Sequence, residues 1–227
     1  MTRCDFLGID PTSSTGRASA CVGLDEGLNL AFAGSLHLDS DLIALAMSER
    51  PGVIAVDAPL TLPTGLCCLE ESCHCQPERG FGRECERDLA KLGIPCYFTG
   101  KRSIIKNMTY RGVMLRKALE GRGFRVIEVY PYASKVRLWG KHIPPKGKRE
   151  GLDFLQANLG EIMPSVAPYL AGFNHDLCDA AVAAYTAYLH ASGKTEVLGS
   201  RNEGVICIPN QHGGSVKGPD LSIELQS

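Results

Sequence analysis

Five carboxylates in this chain sit where a fold could gather them. Asp10 closes the apolar run at 4–9, Asp57 closes the run VIAV, and Glu128 lies between Ile127 and Val129. Asp176 and Asp179 stand three residues apart at the head of an alanine-rich stretch, DAAVAAYTAYLH. On a helix that spacing puts both on one side, with roughly 5–6 Å between Cβ atoms. It also puts them in the first turn, where the helix dipole favours negative charge. Like charges this close repel, and a hard divalent cation relieves the repulsion. Mg²⁺ or Mn²⁺ suits such donors, since Mg²⁺ takes one or two carboxylates and keeps water and phosphate oxygens as its other ligands. Two such ions about 3.5–4 Å apart can activate a water and steady a leaving oxygen, which is the chemistry of phosphodiester hydrolysis. Each acid also has a plainer reading. Asp10 before Pro11 and Asp57 before Ala58-Pro59 suit turns, and Asp176 suits an N-cap. Asp179 lies a turn into the helix, and Glu128 lies inside an apolar strand where a carboxylate needs a partner.

Sulfur forms a second group. Five of the ten cysteines fall in one segment, GLCCLEESCHCQPERGFGREC: Cys67, Cys68, Cys73, Cys75 and Cys85, with His74 among them. Four thiolates, or three and an imidazole, complete a tetrahedral zinc site, and four cysteines can also hold an iron–sulfur cluster. The spacing lacks the two regular knuckles of a zinc ribbon. A metal that holds this apolar-poor segment folded is expected, and a set of free, buried thiols is the competing reading.

Basic residues follow the cysteines: Arg83, Arg87 and Lys91 at helical spacing, then Lys101, Arg102, Lys106 and Arg111, and later Lys141, Lys146, Lys148 and Arg149. Tyr97, Phe98, Tyr110 and Tyr130 are interleaved and can stack bases. Lys101, Arg102 and Lys106, in and just after a turn of small residues, are the candidates to grip phosphate, together with Thr12 and Ser13 in the turn after Asp10. A solvated charged face is the alternative. The formal net charge is -1, from 24 basic and 25 acidic residues, so no global field draws the chain to nucleic acid and only a local patch could.

These groups need a rigid carrier. Runs at 4–9, 18–24 and 29–37, joined by turn residues, predict an antiparallel meander. A helix capped by Asp39 or Ser40 runs to about residue 50 and is stopped by Pro51-Gly52. The run at 53–56 is apolar throughout, as in a strand buried on both faces. Residues 61–100 break the pattern and read as a Cys-rich insertion. Helices are then expected at 104–120, 132–139, 149–159 and 176–190, and strands at 125–129 and 204–208. The expected fold is α/β: a mixed five-stranded sheet flanked by helices, with the insertion after the fourth strand. One domain over 1–210 and a Gly- and Ser-rich tail over 211–227 are expected. No apolar stretch reaches the roughly 18 residues of a membrane helix, and the N-terminus does not read as a signal peptide. A cytoplasmic protein with reduced or metal-bound thiols is therefore expected. Oligomeric state is left open, a homodimer included.

GIDPTSSTG after a strand, then ASACVGL, resembles the opening of the bacterial Holliday-junction resolvases, and NHDLCDAAVAAYTAYLH resembles their closing helix. VIAVDAPL, RECERDLAKLGIPCYFTG, RVIEVYPYAS and HDLCDAAVAA more closely resemble the predicted RNase H-like nucleases of domain of unknown function 429. The resemblance covers most of residues 4–208 and implies an RNase H-like sheet. It also implies Asp10, Asp57 and Asp179 as the main metal ligands, Asp176 as an accessory acid, and nucleic acid as partner. Asp10 would bridge two ions, and Glu128 is added from the fifth strand. Two departures stand out: the resolvases carry Glu where this chain has Asp57, and they lack the Cys-rich insertion. Two rivals share this fold. One is a phosphotransferase of the actin and sugar-kinase superfamily, for which the chain is short; the other is a non-catalytic metal-binding adaptor.

Overall fold

The computed structural model describes residues 3–14 and 16–211, so the tail expected at 211–227 lies, from residue 212 on, outside the described residues. Three strands, β1 (Phe6–Asp10), β2 (Ser19–Leu24) and β3 (Leu30–Leu36), form the expected antiparallel meander. Helix α1 (Asp39–Glu49) returns the chain so that β4 (Val53–Val56) lies parallel to β1, with Ile9 opposite Val56. After the insertion, which contains α2 (Glu84–Lys91), helix α3 (Lys106–Glu120) leads to β5 (Val126–Glu128), parallel to β4. The sheet order is β3-β2-β1-β4-β5. Helices α4 (Pro131–Trp139), α5 (Arg149–Ile162) and α6 (His175–Ala191) follow, with a 3₁₀ turn over Ala167–Gly172 before α6. This is the mixed five-stranded α/β sheet that the sequence predicts. No helix among the described residues is long and apolar enough to cross a membrane.

The central strands read as unbroken apolar runs because both faces of the sheet are covered. On one face Phe6, Val22, Val53, Ala55, Ile127 and Val129 pack against α5 and α6. On the other, Leu7, Ile9, Cys21, Ile54 and Val56 meet Leu42 and Ala46 of α1 and Leu115 and Leu119 of α3.

Helix α6 lies unusually close to β1. A Cβ added at Gly8 would come within 2.1 Å of the Ala180 carbonyl oxygen and 2.4 Å of the Ala184 nitrogen. The small side chains of Ala180, Ala181, Ala183 and Ala184 permit this approach, and it draws Asp179 down toward the end of β1. Gly8→Ala should therefore push α6 outward and cost about 1–3 kcal/mol. That corresponds to a melting point roughly 2–10 °C lower. Wild-type stability in a urea titration would show that the helix is not seated this tightly.

Three elements depart from the expectation. The strand expected at 204–208 forms as β7 (Gly204–Pro209), but it pairs with β6 (Thr195–Ser200) in a separate hairpin. TEVLGS is half-buried and polar at its start, so it gives no clean alternation and β6 is missed. A single parallel bridge, Val129 to Cys207, ties this hairpin to the end of β5. Helix α1 has no side-chain cap; Asp39 is its first residue rather than its cap. Helix α6 begins one residue early, capped by Asn174, whose side chain accepts the Leu177 N–H at 2.9 Å.

Candidate functional site

The register of three parallel strands decides which acids meet. Ile9 lies opposite Val56, and the Asp57 N–H donates to the Ile9 carbonyl at 2.9 Å. Asp10 and Asp57 are therefore neighbours at the same ends of β1 and β4. Alternation places both on the face of Gly8 and Ala55, the face that α6 covers. Asp179, buried in the first turns of α6, completes the group from above, with Asp176 half-buried one turn before it.

The carboxylates feel one another. Burial, then the charge of Asp179, pushes Asp10 up to about 7. Burial, then Asp10 and Asp179, holds Asp57 well above the usual carboxylate range. Asp179 thus acts on both strand carboxylates, and Asp10 acts on Asp57. Among the described residues, none donates a hydrogen bond to the side chain of Asp10 or Asp57.

Asp179 is placed differently. Its two oxygens accept the Lys135 ammonium at 2.8 Å and the Lys146 ammonium at 2.7 Å. Lys146 also lies 3.2 Å from Asp176. Burial works against the Lys146 ammonium, but Asp179, Asp10 and Asp176 outweigh it and raise its pKa. Among the described residues, no three acidic oxygens of this group lie within 4.8 Å of one another. Two ammonium groups occupy the positive role at Asp179, while Asp10 and Asp57 keep open lone pairs. The donor chemistry of these two suits a hard divalent cation, whereas both oxygens of Asp179 are held by lysines. Lys146 was read as one of a basic loop, and Lys135 was missed altogether. The only signal for it was a lysine in the first turns of a helix that follows a buried strand.

Glu128 does not join the acids. It lies opposite Val56, not opposite Asp57, so its side chain points to the other face of the sheet. There Arg83 grips it with two nitrogens, at 2.7 and 2.6 Å, and the Leu60 N–H donates to it at 2.8 Å. Arg83 also pairs with Glu86 at 2.8 Å, and Glu86 accepts the Thr99 hydroxyl at 2.6 Å. Arg83 is buried rather than exposed to phosphate.

The other basic candidates are also engaged. Arg102 pairs with Glu71 at 3.4 Å, Lys106 pairs with Glu70 at 2.9 Å, and the Lys101 ammonium donates to the Cys73 carbonyl. Arg111 is buried against Asp39 at 2.7 Å and donates to the Thr12 carbonyl. The Thr12 hydroxyl lies between the Ser14 and Arg17 carbonyls of its own turn and shares its one proton between them; Ser13 is exposed. A cleft opens beside Asp57, walled by Pro59, Tyr97, Met108 and Tyr130. A second, lined by Lys146, Lys148, Arg149 and His175, adjoins Asp176.

Four of the five clustered cysteines converge: the ligand atoms of Cys67, Cys68, Cys73 and Cys75 lie within 4.8 Å of one another. Hydrogen bonding to the Cys68 backbone, against some burial, brings the Cys75 thiol down to about 6. Cys85 stands apart, because it faces inward from α2 and packs with Leu89, Ile94 and Leu198. His74 is not part of the group either.

No curated protein matches the chain. Among solved structures, that of Thermus thermophilus RuvC is similar, at 16% identity over 82% of this chain and 95% of that one, with a TM-score of 0.42. The family described as "Protein of unknown function (DUF429)" matches residues 8–203, and the chain belongs to that family.

Proposed function

We propose that this protein is a cytoplasmic, divalent-metal-dependent hydrolase of phosphodiester bonds in nucleic acid. One observation carries the reading: Asp10 and Asp57 lie side by side at the ends of parallel strands, with Asp179 above them and, among the described residues, no hydrogen-bond or ion-pair partner on either strand carboxylate. Crowded, half-buried acids without partners are a cost that a purely structural site would not retain. In this reading Asp10 and Asp57 hold Mg²⁺ or Mn²⁺, Asp10 being the ligand shared if two ions bind, and Asp179 and Asp176 complete the set. When bound, the metal supplies a more acidic water and neutralises charge on the phosphoryl group.

The chain's own residues have the following tasks. Lys146 keeps its proton at neutral pH, because three acids surround it. Its ammonium can turn from Asp179 to a non-bridging phosphate oxygen. Lys135, the more buried of the two, stays to orient Asp179. Tyr97 and Tyr130 offer aromatic walls beside Asp57 on which a base can stack. Lys148 and Arg149 continue the basic lining past Asp176 and suit the next phosphate along a strand. Arg102 and Lys106 are held by exposed ion pairs that solvent and salt screen, so a phosphate can compete for them.

The phosphotransferase reading needs hydroxyls after β1 that are free to meet phosphate. The Thr12 hydroxyl is spent inside its own turn, which counts against it.

A Mn²⁺-dependent cleavage screen over single-stranded, duplex, RNA–DNA hybrid and branched substrates tests the reading. Cleavage of at least one substrate, lost on chelation, is expected. No cleavage of any of them, with the protein folded and metal supplied, would overturn it.

A further inference from the structure

The sulfur group lies outside the acidic site and has a geometry of its own. Cys67 and Cys73 have their sulfurs 3.5 Å apart, and all four sulfurs of Cys67, Cys68, Cys73 and Cys75 fall within 4.8 Å of one another. Thiolates at the corners of a tetrahedron around one ion, with metal–sulfur bonds of about 2.3 Å, stand roughly 3.8 Å apart. The four sulfurs, none more than 4.8 Å from another, are close enough to contract onto one ion. A cluster of several irons spreads its cysteines over different iron atoms and needs a wider frame. We propose that Cys67, Cys68, Cys73 and Cys75 bind a single Zn²⁺ ion, and that this ion sets the shape of the insertion and fastens it to α3.

The insertion itself supplies the second reason. No helix or strand forms between Val56 and Glu84. Of residues 64–81 only Leu69 is buried. Ordering such a segment costs conformational entropy that one buried leucine does not offset. Short segments without a core are held by metals or disulfides, and all ten cysteines here are free.

The residues between and beside the thiols make the attachments. The Tyr110 hydroxyl of α3 accepts the Leu69 N–H at 2.6 Å and donates to Glu70 at 3.0 Å. Lys106, at the start of α3, pairs with Glu70 at 2.9 Å. The Lys101 ammonium sits on the Cys73 carbonyl, where it offsets part of the net double negative charge of a zinc tetrathiolate. Each coordinating thiol that is still protonated gives its proton to solvent, so zinc uptake releases protons. The ion would thus hold the loop at 99–106, and with it Arg102 and Lys106, against the body of the protein.

Metal analysis of the purified full-length chain, followed by Co²⁺ titration of chelated, reduced protein, tests this. About one zinc per chain is expected, and Co²⁺ should give the strong charge-transfer and visible bands of a tetrahedral tetrathiolate. Cys73→Ser and Cys75→Ser should lose tight zinc, by at least about tenfold in affinity. Cys85→Ser, Cys96→Ser and Asp10→Asn should keep it. Several irons per chain with a visible iron–sulfur chromophore would overturn the proposal. So would a Co²⁺ spectrum of oxygen ligands, a Cys67–Cys73 disulfide with no metal, or full zinc affinity in Cys73→Ser. The Co²⁺ spectrum is read on the wild-type chain, so it decides even if a serine variant fails to fold. None of these results bears on the acidic site, whose own test is cleavage.

Discussion

Asp10→Asn is expected to abolish divalent-dependent cleavage and, at the same time, to make the metal-free protein more stable at pH 8. The two effects have one cause. Asp10 is crowded and partly desolvated in the folded state, where burial and then Asp179 push it up to about 7. In the unfolded chain it titrates at about 3.9. As pH rises, the unfolded state releases this proton first, so stability is lost between about pH 4 and pH 7 and stays lost above. Asparagine carries no charge and escapes the penalty. With EDTA present, the variant should exceed wild type by about 1–3 kcal/mol at pH 8, and the difference should vanish below pH 4. Adding Mg²⁺ to wild type should close part of the gap, because a bound cation favours the ionised carboxylate. Loss of cleavage should be at least about 10²–10³-fold. Denaturant titrations at pH 4, 6 and 8, with and without Mg²⁺, measure the first effect. A variant less stable than wild type at pH 8 would make Asp10 a structural group, and a variant that cleaves at the wild-type rate would remove it from the site.

The largest loss of stability should come from Arg83→Met. Arg83 is 1% exposed and is the common cation of Glu128 and Glu86, both nearly as buried. Removing it leaves two carboxylates in a low-dielectric interior, which costs about 3–5 kcal/mol. The penalty belongs to the stranded charges rather than to the lost bond. Glu128→Gln added to Arg83→Met should therefore recover about 1 kcal/mol or more, although it restores no ion pair. Urea titrations of the four proteins of this cycle give the answer. Strict additivity would mean that the two side chains do not interact. Because Arg83 also receives the start of α2 and the Thr99 loop through Glu86, the single variant should weaken substrate binding as well.

Much of this was legible in the chain itself. The apolar runs before Asp10 and Asp57 announce two buried strands, and the alanine run after Asp179 announces a helix that can approach a sheet closely. Three of the acids come to the same end of the sheet because such elements have few ways to pack. Glu128 shows where the reading stops. A strand of three residues carries no signal of its register, and a slip of one residue moves a side chain to the other face. Arg83 shows a second limit: its helical spacing with Arg87 and Lys91 looks like an exposed stripe, and only the position of α2 over the β6–β7 hairpin reveals it as interior. Cys85 failed for the same reason, since it belongs to the packed side of α2 and not to the loop before it. The four remaining cysteines were identifiable by density alone, although their spacing matched no regular pattern.

The bridge between Val129 and Cys207 has a consequence for self-association. At one border of the main sheet, the terminal hairpin lies against β5 and leaves little bare backbone there. At the other border, β3 has a single neighbour, and its seven residues present unpaired amides and carbonyls along their outer side. Among the described residues, β3 is therefore the border of the main sheet best suited to strand-by-strand addition of a second chain, whether as an ordered pair or as aggregation after partial unfolding.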